Sequence, residues 1–388
     1  MHRLVTLPFS ISEYKDRVAK VREGMKQRGI DVLMINTPEN LYYLTNYQTA
    51  SYGIGYLALI LPIEGEPIMI TRVYDRDNVP GRTWIEESVY YLDQEDPIQV
   101  AAETVRKMKL DKKTVGVEKN VRKAFLSIAE FEKLQKLLPN ARFVDGSGII
   151  ENLRIIKSNR ELDYIRQAAR IVEKGMKAGI DMIEAGKLDG EIAGEINRVL
   201  YSSGSEYPAD LPFVPSIPLA QAQHEGRRLE RGQIVRFEIP ACVKRYHAAL
   251  IRTVSLGKLP KKYKSMEEAS RKALEAGIEV MKPGVEAQEV HRVMQRELAR
   301  FGYGELHKHR SGHSIGIAFP PCFSGEGEVL SLKEGEHAKL RPGMVFHIVG
   351  AGLKVPGKLL LCTGSETVAV TEEDHEVLTH FVRKVFVK

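Results

Sequence analysis

Acid–base chemistry is the kind of reaction that residues in the C-terminal half of this chain are best suited to perform. Three histidines and two glutamates are the candidates: His247, His313, His347, Glu238 and Glu366. Imidazole gains and loses a proton near neutral pH, and carboxylates accept protons, so such a group could activate water for hydrolysis. Glu238 and His347 fall in the runs GQIVRFE and GMVFHIV, which are predicted as strands. The chemistry therefore depends on how strands bring these side chains together.

An internal repeat organises the elements that carry these candidates. The segment AGIDMIEAGKLDGEI, which starts at Ala178, matches AGIEVMKPGVEAQEV, which starts at Ala276. Each copy has the pattern of a helix, a break at Gly186 or Gly284, and a second helix that leads toward a strand pair. Because the matches extend through helix, break and strand, the C-terminal half is predicted to contain a two-fold repeat.

The N-terminal half has a different pattern. Short strand-like runs, such as 32–35 and 56–62, alternate with helical periodicity until about residue 144, which predicts a compact α/β unit. Ser158 and Glu161 then form a capping box that opens a long amphipathic helix. We therefore predict two domains, residues 1–151 and residues 152–388.

Composition excludes several classes of protein. The 388 residues include 57 basic and 51 acidic side chains, interleaved along the chain, whereas nucleic-acid binders concentrate basic residues in one stripe. No run approaches the roughly 20 apolar residues that span a bilayer. The three cysteines are too few and too scattered for a disulfide framework, and the N-terminus lacks a signal-peptide cleavage site. The sequence predicts a cytoplasmic protein that binds neither nucleic acid nor membrane.

Several motifs together resemble the pita-bread superfamily, which includes methionine aminopeptidase, prolidase, aminopeptidase P and creatinase. The opening EYKDRVAKVREGMKQRGIDVLMINTPENLYYLTNY is similar to the N-terminal domain of the creatinase and prolidase branch, and LRIIKSNRELDYIRQAARI is similar to the segment that joins its two domains. HSIG and RPGMVF strengthen the resemblance. It implies an α/β (α+β) fold, with an N-terminal creatinase-type α/β domain, a C-terminal pita-bread domain with an internal two-fold repeat, and a homodimer.

The resemblance also identifies where metal ligands would stand. Metallopeptidases of this superfamily bind two divalent metals through two Asp, one His and two Glu, and the corresponding positions here are Glu238, Ala249, His313, Val349 and Ser365. Three of these five residues are not ligands of the family type. A dinuclear metal site and a cofactor are therefore not expected, while a single divalent metal held by the three candidate histidines and a carboxylate stays open.

Strand geometry suggests what replaces the missing carboxylates. Residues two apart on a strand share one face. His247 lies two residues before Ala249, and His347 lies two residues before Val349. Each lost carboxylate therefore has a histidine beside it, and with Glu238, His313 and Glu366 the two histidines are predicted to form one inward cluster.

The strings FEIPACVKRYHAALIRTVSLG, HSIGIAFPP, LRPGMVFHIVG and GSETVAV resemble, in order, the ectoine hydrolase group of this superfamily. That resemblance implies a hydrolase acting on a C–N bond of a small molecule, a cyclic amidine that carries a carboxylate. Glu238 or His247 would activate water, His313 or His347 would protonate the departing nitrogen, and Glu366 or Glu238 would attract the amidinium.

Four further residues are predicted to bind the substrate. Arg252 or Arg245 could pair with the substrate carboxylate in a bidentate geometry. Tyr246 belongs to the Arg-Tyr-His triplet that is similar to the ectoine hydrolase pattern, and His224 resembles the catalytic histidine of the creatinase binding loop.

Two other functions fit the same resemblance. One is an Xaa-Pro peptidase-like enzyme with an altered metal site. The other is a catalytically silent pita-bread domain that binds peptides or a partner protein, because a fold alone does not determine function.

Overall fold

The protein is described by a computed structural model that covers residues 4–49, 52–121, 123–214, 224–324, 326, 329–351 and 364–388. The chain divides into two compact units, Met1–Arg154 and Ile155–Lys388. The domain boundary predicted between residues 151 and 152 falls inside the helix that ends the first unit. In the part of the chain that is described, no helix is long and apolar enough to cross a membrane.

The first unit is built on a six-stranded mixed sheet with the strand order β4-β3-β2-β1-β5-β6. Its strands are β1 (Val32–Ile35), β2 (Ala58–Pro62), β3 (Ile68–Arg72), β4 (Glu87–Tyr91), β5 (Thr114–Val117) and β6 (Arg142–Asp145). Its helices are α1 (Ile11–Gln27), α2 (Pro38–Thr45), α3 (Asn78–Arg82), α4 (Pro97–Lys107), α5 (Ile128–Leu137) and α6 (Glu151–Arg154), with a 3-10 turn at Val73–Asp75. The mixture of parallel and antiparallel pairs agrees with the predicted α/β pattern.

A buried carboxylate holds the N-terminus of α2 in the first unit. Glu118 accepts hydrogen bonds from the backbone N–H groups of Asn36 (2.7 Å) and Thr37 (2.8 Å) and from Asn40 Nδ2 (2.6 Å). Burial raises the pKa of Glu118 to about 7, and the nearby charge of Glu151 adds to the rise, while the three hydrogen bonds oppose it. Glu118 is therefore partly protonated at neutral pH in the folded protein.

We expect the first unit to lose stability as the pH rises through this window. A carboxyl group with a raised pKa holds its proton longer in the folded chain than in the unfolded chain, so raising the pH from about 4.5 to about 7 removes up to about 3 kcal/mol from the free energy of unfolding. Trp84, the single tryptophan of the sequence, donates from Nε1 to Leu44 O at the end of α2 and reports on this unit. Urea unfolding followed by its fluorescence at pH 5 and pH 8 measures the difference.

Glu118→Gln is the control for this pH dependence, because it removes the titrating group and keeps the side-chain shape. The variant should flatten the difference between pH 5 and pH 8. An equal dependence in wild type and variant would show that another group is responsible.

The second unit contains two sheets, each covered by a pair of helices. Its helices are α7 (Asn159–Met182), α8 (Asp189–Ser202), α9 (Lys261–Glu279) and α10 (Ala287–Arg300), with a 3-10 turn at Gly304–Leu306. One sheet has the order β14-β8-β7 and the other the order β10-β9-β11-β12-β13. Their strands are β7 (Ile234–Val243), β8 (Tyr246–Ser255), β9 (Gly312–Ser314), β10 (Ser331–Leu332), β11 (Val345–Val349), β12 (Ser365–Val370), β13 (His375–Val377) and β14 (Phe386–Val387).

The predicted two-fold repeat corresponds to these two layers. α7 and α8 pack on β7 and β8 through one apolar core, and α9 and α10 pack on β11 and β12 through another. The two break glycines, Gly186 and Gly284, have φ values of 94° and 87°, which only glycine adopts readily. Ser158 and Glu161 form the predicted capping box at the start of α7.

Hydroxyl groups of β12 join the two sheets. Ile251 N donates to Ser365 Oγ (2.7 Å), and Ala249 N donates to Thr367 Oγ1 (3.0 Å), which in turn donates to Ala249 O. These bonds fix β8 of one sheet against β12 of the other. The side chains that the two sheets direct toward each other therefore share one buried region.

Candidate active site

The hairpin of β7 and β8 determines which side chains face the second sheet. Lys244 and Arg245 form its two-residue turn with φ values of 48° and 61°, as a type I′ turn requires. In the resulting register Glu238 is opposite Ile251, and Cys242 is opposite His247.

The alternate residues of the hairpin, among them Phe237, Ile239, Ala241 and Leu250, pack in the core shared with α7 and α8. Because successive side chains point to opposite faces, Arg236 and Glu238 lie on the other face, toward β12. The hairpin thus presents a charged pair to the region between the sheets.

Arg236 and Glu238 form an ion pair in this region. Arg236 Nη2 lies 2.9 Å from Glu238 Oε2, and the two side chains are only 12% and 14% exposed. Burial raises the pKa of Glu238; the charge of Arg236 opposes this rise and that of Asp210 adds to it. Among the described residues, no acceptor is aligned with the hydrogens of Arg236 Nε and Nη2. The guanidinium can therefore still bind an anion.

His313 and His347 lie beside each other on neighbouring strands of the second sheet. The register of β9 and β11 places them directly opposite one another. Their ring centroids are 5.5 Å apart with an interplanar angle of 77°, and the Phe323 ring lies 5.8 Å from His313 and 5.6 Å from His347. The two imidazoles and the phenyl ring form one compact group. We call His313 and His347 the histidine pair.

Both imidazoles of this pair are neutral at physiological pH. Burial lowers the pKa of His313 to about 3. Burial also holds the pKa of His347 well below its usual value. Repulsion from His313 when that ring is protonated, and from Arg236 and Arg310, lowers it further. Glu238 is opposite Ile251, whose N–H donates to the same Ser365 hydroxyl that contacts His347, so the ion pair of β7 and the histidine pair border one region.

The hydrogen bonds of the two imidazoles differ. His313 Nδ1 donates to the carbonyl oxygen of Ser314 (3.0 Å). His347 Nε2 bonds to Ser365 Oγ (2.7 Å), whereas its Nδ1 is buried and has no hydrogen-bond partner within the described segments. Buried polar atoms without partners are uncommon and indicate a place where a ligand or water can bind.

His247 lies on the predicted strand, but both of its ring nitrogens bond to the main chain. Nε2 accepts from Ala209 N (3.0 Å), and Nδ1 donates to Arg245 O (2.9 Å). In this arrangement neither nitrogen can contact water without losing a buried hydrogen bond, so the predicted role of His247 as a base would require one of these bonds to break. Its geometry suits a residue that fixes the 209–210 segment beside β8.

Glu366 faces away from the histidine pair. It is opposite Ile348, which packs in the core under α9 and α10, whereas its neighbour Ser365 faces His347. Glu366 accepts from Arg252 Nη2 and Arg383 Nε, both at 2.8 Å, and from Thr379. The predicted inward cluster therefore does not include Glu366.

The predicted substrate-binding arginines are held by protein atoms. Arg252 pairs with Glu366 and donates to four main-chain carbonyl groups, those of Ile251, Ser365, Phe381 and Val382. Arg245 donates to the carbonyl groups of Tyr207 and Ala318 and stacks over the rings of Tyr207 and Phe319. Both guanidinium groups are fully buried and already bonded to protein atoms, so the predicted contact of either one with a substrate carboxylate would have to replace some of these bonds.

Tyr246 and His224 also lie elsewhere. The hydroxyl of Tyr246 donates to Glu161 Oε1 (2.5 Å), and its ring stacks on Tyr164 of α7, so it belongs to the helix-covered face. His224 is exposed and lies beside Gly190 near the start of α8. The part of its loop formed by residues 215–223 is outside the described residues.

The residues at the family's metal positions do not fit a dinuclear site. Of the five, only Glu238 and His313 are ligand types, and Glu238 is paired with a guanidinium. Across the described ranges, no group of three or more His, Cys, Asp or Glu side chains is arranged to hold a metal ion. The single-metal arrangement that the sequence left open would need His247, whose nitrogens are occupied by the main chain.

Sequence reasoning missed two residues of this site. Arg236 lies two residues before Glu238 on the same strand, so the period of two that was applied to the histidines would have found it. Phe323 could not have been found in this way, because it lies on an irregular segment that a strand pattern does not position. The catalytic and binding roles of the predicted residues remain predictions.

Two sheets that belong to an internal repeat, each covered by a pair of helices, form the architecture of the pita-bread fold. Residues 163–374 match metallopeptidase family M24, and residues 17–156 match the creatinase/prolidase N-terminal domain. The first match spans more than half of the chain, and the chain belongs to family M24. These matches confirm the predicted superfamily and the predicted fold class.

Individual relatives agree with this assignment. The chain is 33% identical to ectoine hydrolase of Halomonas elongata over 405 residues, covering 99% of each protein. It is 26% identical to an Xaa-Pro dipeptidase of Pyrococcus horikoshii, covering 92% of this chain and 98% of that one. The prolidase structure from Thermococcus sibiricus superposes with a TM-score of 0.86 at 23% identity, covering 98% and 100%, which shows a common fold. The chain is therefore a hydrolase of the M24 family.

Proposed function

We propose that this chain hydrolyses a C–N bond of a small cyclic amidine that carries a carboxylate, in the manner of an ectoine hydrolase. The observation that carries the proposal is the Arg236–Glu238 ion pair beside two neutral imidazoles, where metallopeptidases of this superfamily place metal ligands. A zwitterionic substrate has one anionic and one cationic group. Arg236 and Glu238 supply the complementary charges on a single strand.

Binding begins with the two charged groups of β7. The Nε and Nη2 hydrogens of Arg236, which meet no aligned acceptor among the described residues, form a bidentate contact with the substrate carboxylate, as guanidinium groups commonly do. The amidinium then lies against the Glu238 carboxylate, and Phe323 covers the apolar part of the ring. Burial of the charged groups excludes water other than the one that reacts.

The reaction needs one proton carrier. Glu238 takes a proton from water as the water oxygen bonds to the amidine carbon. That proton passes from Glu238 to the ring nitrogen before the C–N bond breaks. As the bond breaks, Glu238 takes the second proton from the hydroxyl group that becomes the amide carbonyl and passes it to the departing amine, which leaves an amide and an ammonium group. Since burial raises the pKa of Glu238, this carboxyl group can hold the proton between the two steps. The two imidazoles are neutral, so they orient the water and do not supply the proton.

The experiment compares two substrates with and without metal. Purified protein is incubated with ectoine or with an Xaa-Pro dipeptide, each in the presence of EDTA and of added Mn²⁺, and products are identified by mass spectrometry. We expect ring opening of ectoine that EDTA leaves within about twofold, and no dipeptide cleavage. Metal-dependent cleavage of the dipeptide would instead support a peptidase, and inactivity on both substrates in all conditions would contradict the proposal.

The homodimer and the cytoplasmic location that the sequence predicts are parts of this proposal. Both come from the resemblance and from composition. The proposed chemistry takes place within the second unit and uses residues of one chain.

A further inference from the structure

The hydroxyl group of Ser365 connects the two sheets to the histidine pair. Ser365 is fully buried, and its Oγ accepts a hydrogen bond from Ile251 N (2.7 Å) and lies 2.7 Å from His347 Nε2. By resemblance, this position is the one where metallopeptidases of the superfamily place a glutamate ligand. A small hydroxyl group now fills it, and that group contacts an imidazole.

Which atom donates the proton between Ser365 Oγ and His347 Nε2 determines the tautomer of His347. The N–H of Ile251 can only donate, so Ser365 Oγ accepts there and must place its own proton elsewhere. Across the described segments, the other hydrogen-bond partner of Ser365 Oγ is His347 Nε2. If the hydroxyl donates to Nε2, a neutral His347 carries its proton on Nδ1. The opposite tautomer would leave the buried serine proton without an acceptor, which is unfavourable by about 1–3 kcal/mol.

His313, whose ring lies next to that of His347, carries its proton on the nitrogen that bonds the main chain. The carbonyl oxygen of Ser314 can only accept, so His313 Nδ1 carries the proton and Nε2 has a lone pair. Two neutral imidazoles with centroids 5.5 Å apart therefore offer one acceptor, His313 Nε2, and one donor, His347 Nδ1–H. A water molecule, which both donates and accepts, matches this pair.

We propose that Ser365 is a positioning residue that fixes His347 as an Nδ1–H donor, so that the histidine pair holds the water that attacks the substrate. The proposal rests on the proposed function for the identity of the reaction. The water accepts from His347 Nδ1–H, donates one hydrogen to His313 Nε2 and donates the other to Glu238. Three hydrogen bonds leave one lone pair of the water oxygen directed at the amidine carbon. Both protons that the water gives up pass in turn through Glu238 to the departing nitrogen, and the imidazoles keep their charge state throughout.

The first test needs no substrate. Long-range ¹H–¹⁵N correlation spectra of the full-length protein labelled with ¹⁵N-histidine, recorded at pH 7, distinguish protonated from unprotonated ring nitrogens. His347→Gln identifies the resonances by their disappearance. We expect a protonated Nδ1 and an unprotonated Nε2 for His347. A protonated Nε2 would overturn the inference, and this measurement stands even if a serine variant fails to fold.

Ser365→Ala tests the role of the hydroxyl group. Removing it should allow both tautomers of His347 and lower kcat on ectoine by roughly tenfold to a hundredfold while KM changes less than threefold. Thr367→Val is the matched control, since Thr367 lies two residues along the same face and its hydroxyl bonds Ala249 instead. This variant should leave the nitrogen shifts of His347 unchanged.

The two proposals fail in different ways. Identical nitrogen shifts and kcat in Ser365→Ala and wild type would overturn the role of Ser365 and leave the substrate assignment intact. A protein that lacks activity on ectoine but has the expected shifts would retain the tautomer assignment and lose the proposed reaction.

Discussion

Glu238→Gln should lower kcat for amidine hydrolysis by about 10³-fold, because the amide cannot take up the proton that water releases and general acid–base catalysis contributes about 10²–10⁴-fold. KM should rise as well, because the glutamine carbonyl oxygen can still accept from the substrate and from Arg236, which lies 2.9 Å from the carboxylate, but the negative charge that attracts the amidinium is lost. Steady-state kinetics with ectoine measure both constants. The unfolding midpoint in urea checks that the variant is folded.

Glu267→Gln is the matched control for this substitution. Glu267 is a half-buried carboxylate of α9 whose pKa is also raised, chiefly by burial, and its nearest cation is Arg271. The control removes the same charge from the same unit and should keep kcat within twofold. A Glu238→Gln enzyme that retains more than a tenth of the wild-type kcat would contradict the assignment of Glu238 as the proton carrier.

The layered architecture could be predicted because its signals are local. Helix periodicity, the capping box at Ser158 and the break glycines Gly186 and Gly284 each depend on residues close in sequence. The repeat then indicated that two such layers exist. The alternation along β7 is equally accessible from the sequence: Phe237 and Ile239 pack under the helices, so Glu238 lies on the face away from them.

The partners of buried polar groups could not be predicted in the same way. His247 is bonded by the main-chain atoms of Ala209 and Arg245, and main-chain atoms carry no sequence signal. The same applies to Arg252, which binds carbonyl groups about 130 positions further along the chain. A histidine or arginine on a predicted strand thus has the same sequence pattern whether it binds substrate or satisfies a buried carbonyl group.

The orientation of Glu366, in contrast, could have been predicted from the sequence. If Ser365 faces the site, then the adjacent residue must face the opposite side of β12. The structure agrees: Ser365 contacts His347, and Glu366 contacts Arg252 and Arg383. An acidic residue next to a lost ligand position is therefore not a substitute for that ligand on a regular strand.

Glu366→Gln should lower the free energy of unfolding by about 3–5 kcal/mol and leave kcat of the folded enzyme within threefold of wild type. Glu366 and Arg252 are 0% and 1% exposed in their side chains, so removing the negative charge leaves a buried guanidinium without its ionic partner. The new amide also places N–H groups where Arg252, Arg383 and Thr379 donate. Urea unfolding at pH 7 measures the loss of stability, and kinetics at 10 °C measure the activity.

An exposed ion pair provides the comparison for this prediction. Glu305 and Lys308 pair at 2.7 Å with side chains 95% and 71% exposed, so Glu305→Gln should leave the free energy of unfolding almost unchanged. Both variants replace a glutamate by glutamine, and the two sites differ in burial. If Glu366→Gln kept wild-type stability and lost kcat, Glu366 would act in catalysis as the sequence predicted, and its contact with Arg252 would not be the reason for its presence. A loss of stability with retained kcat would instead make Glu366 a structural anchor of the β12 layer, and the acid–base chemistry would belong to the opposite face of that strand.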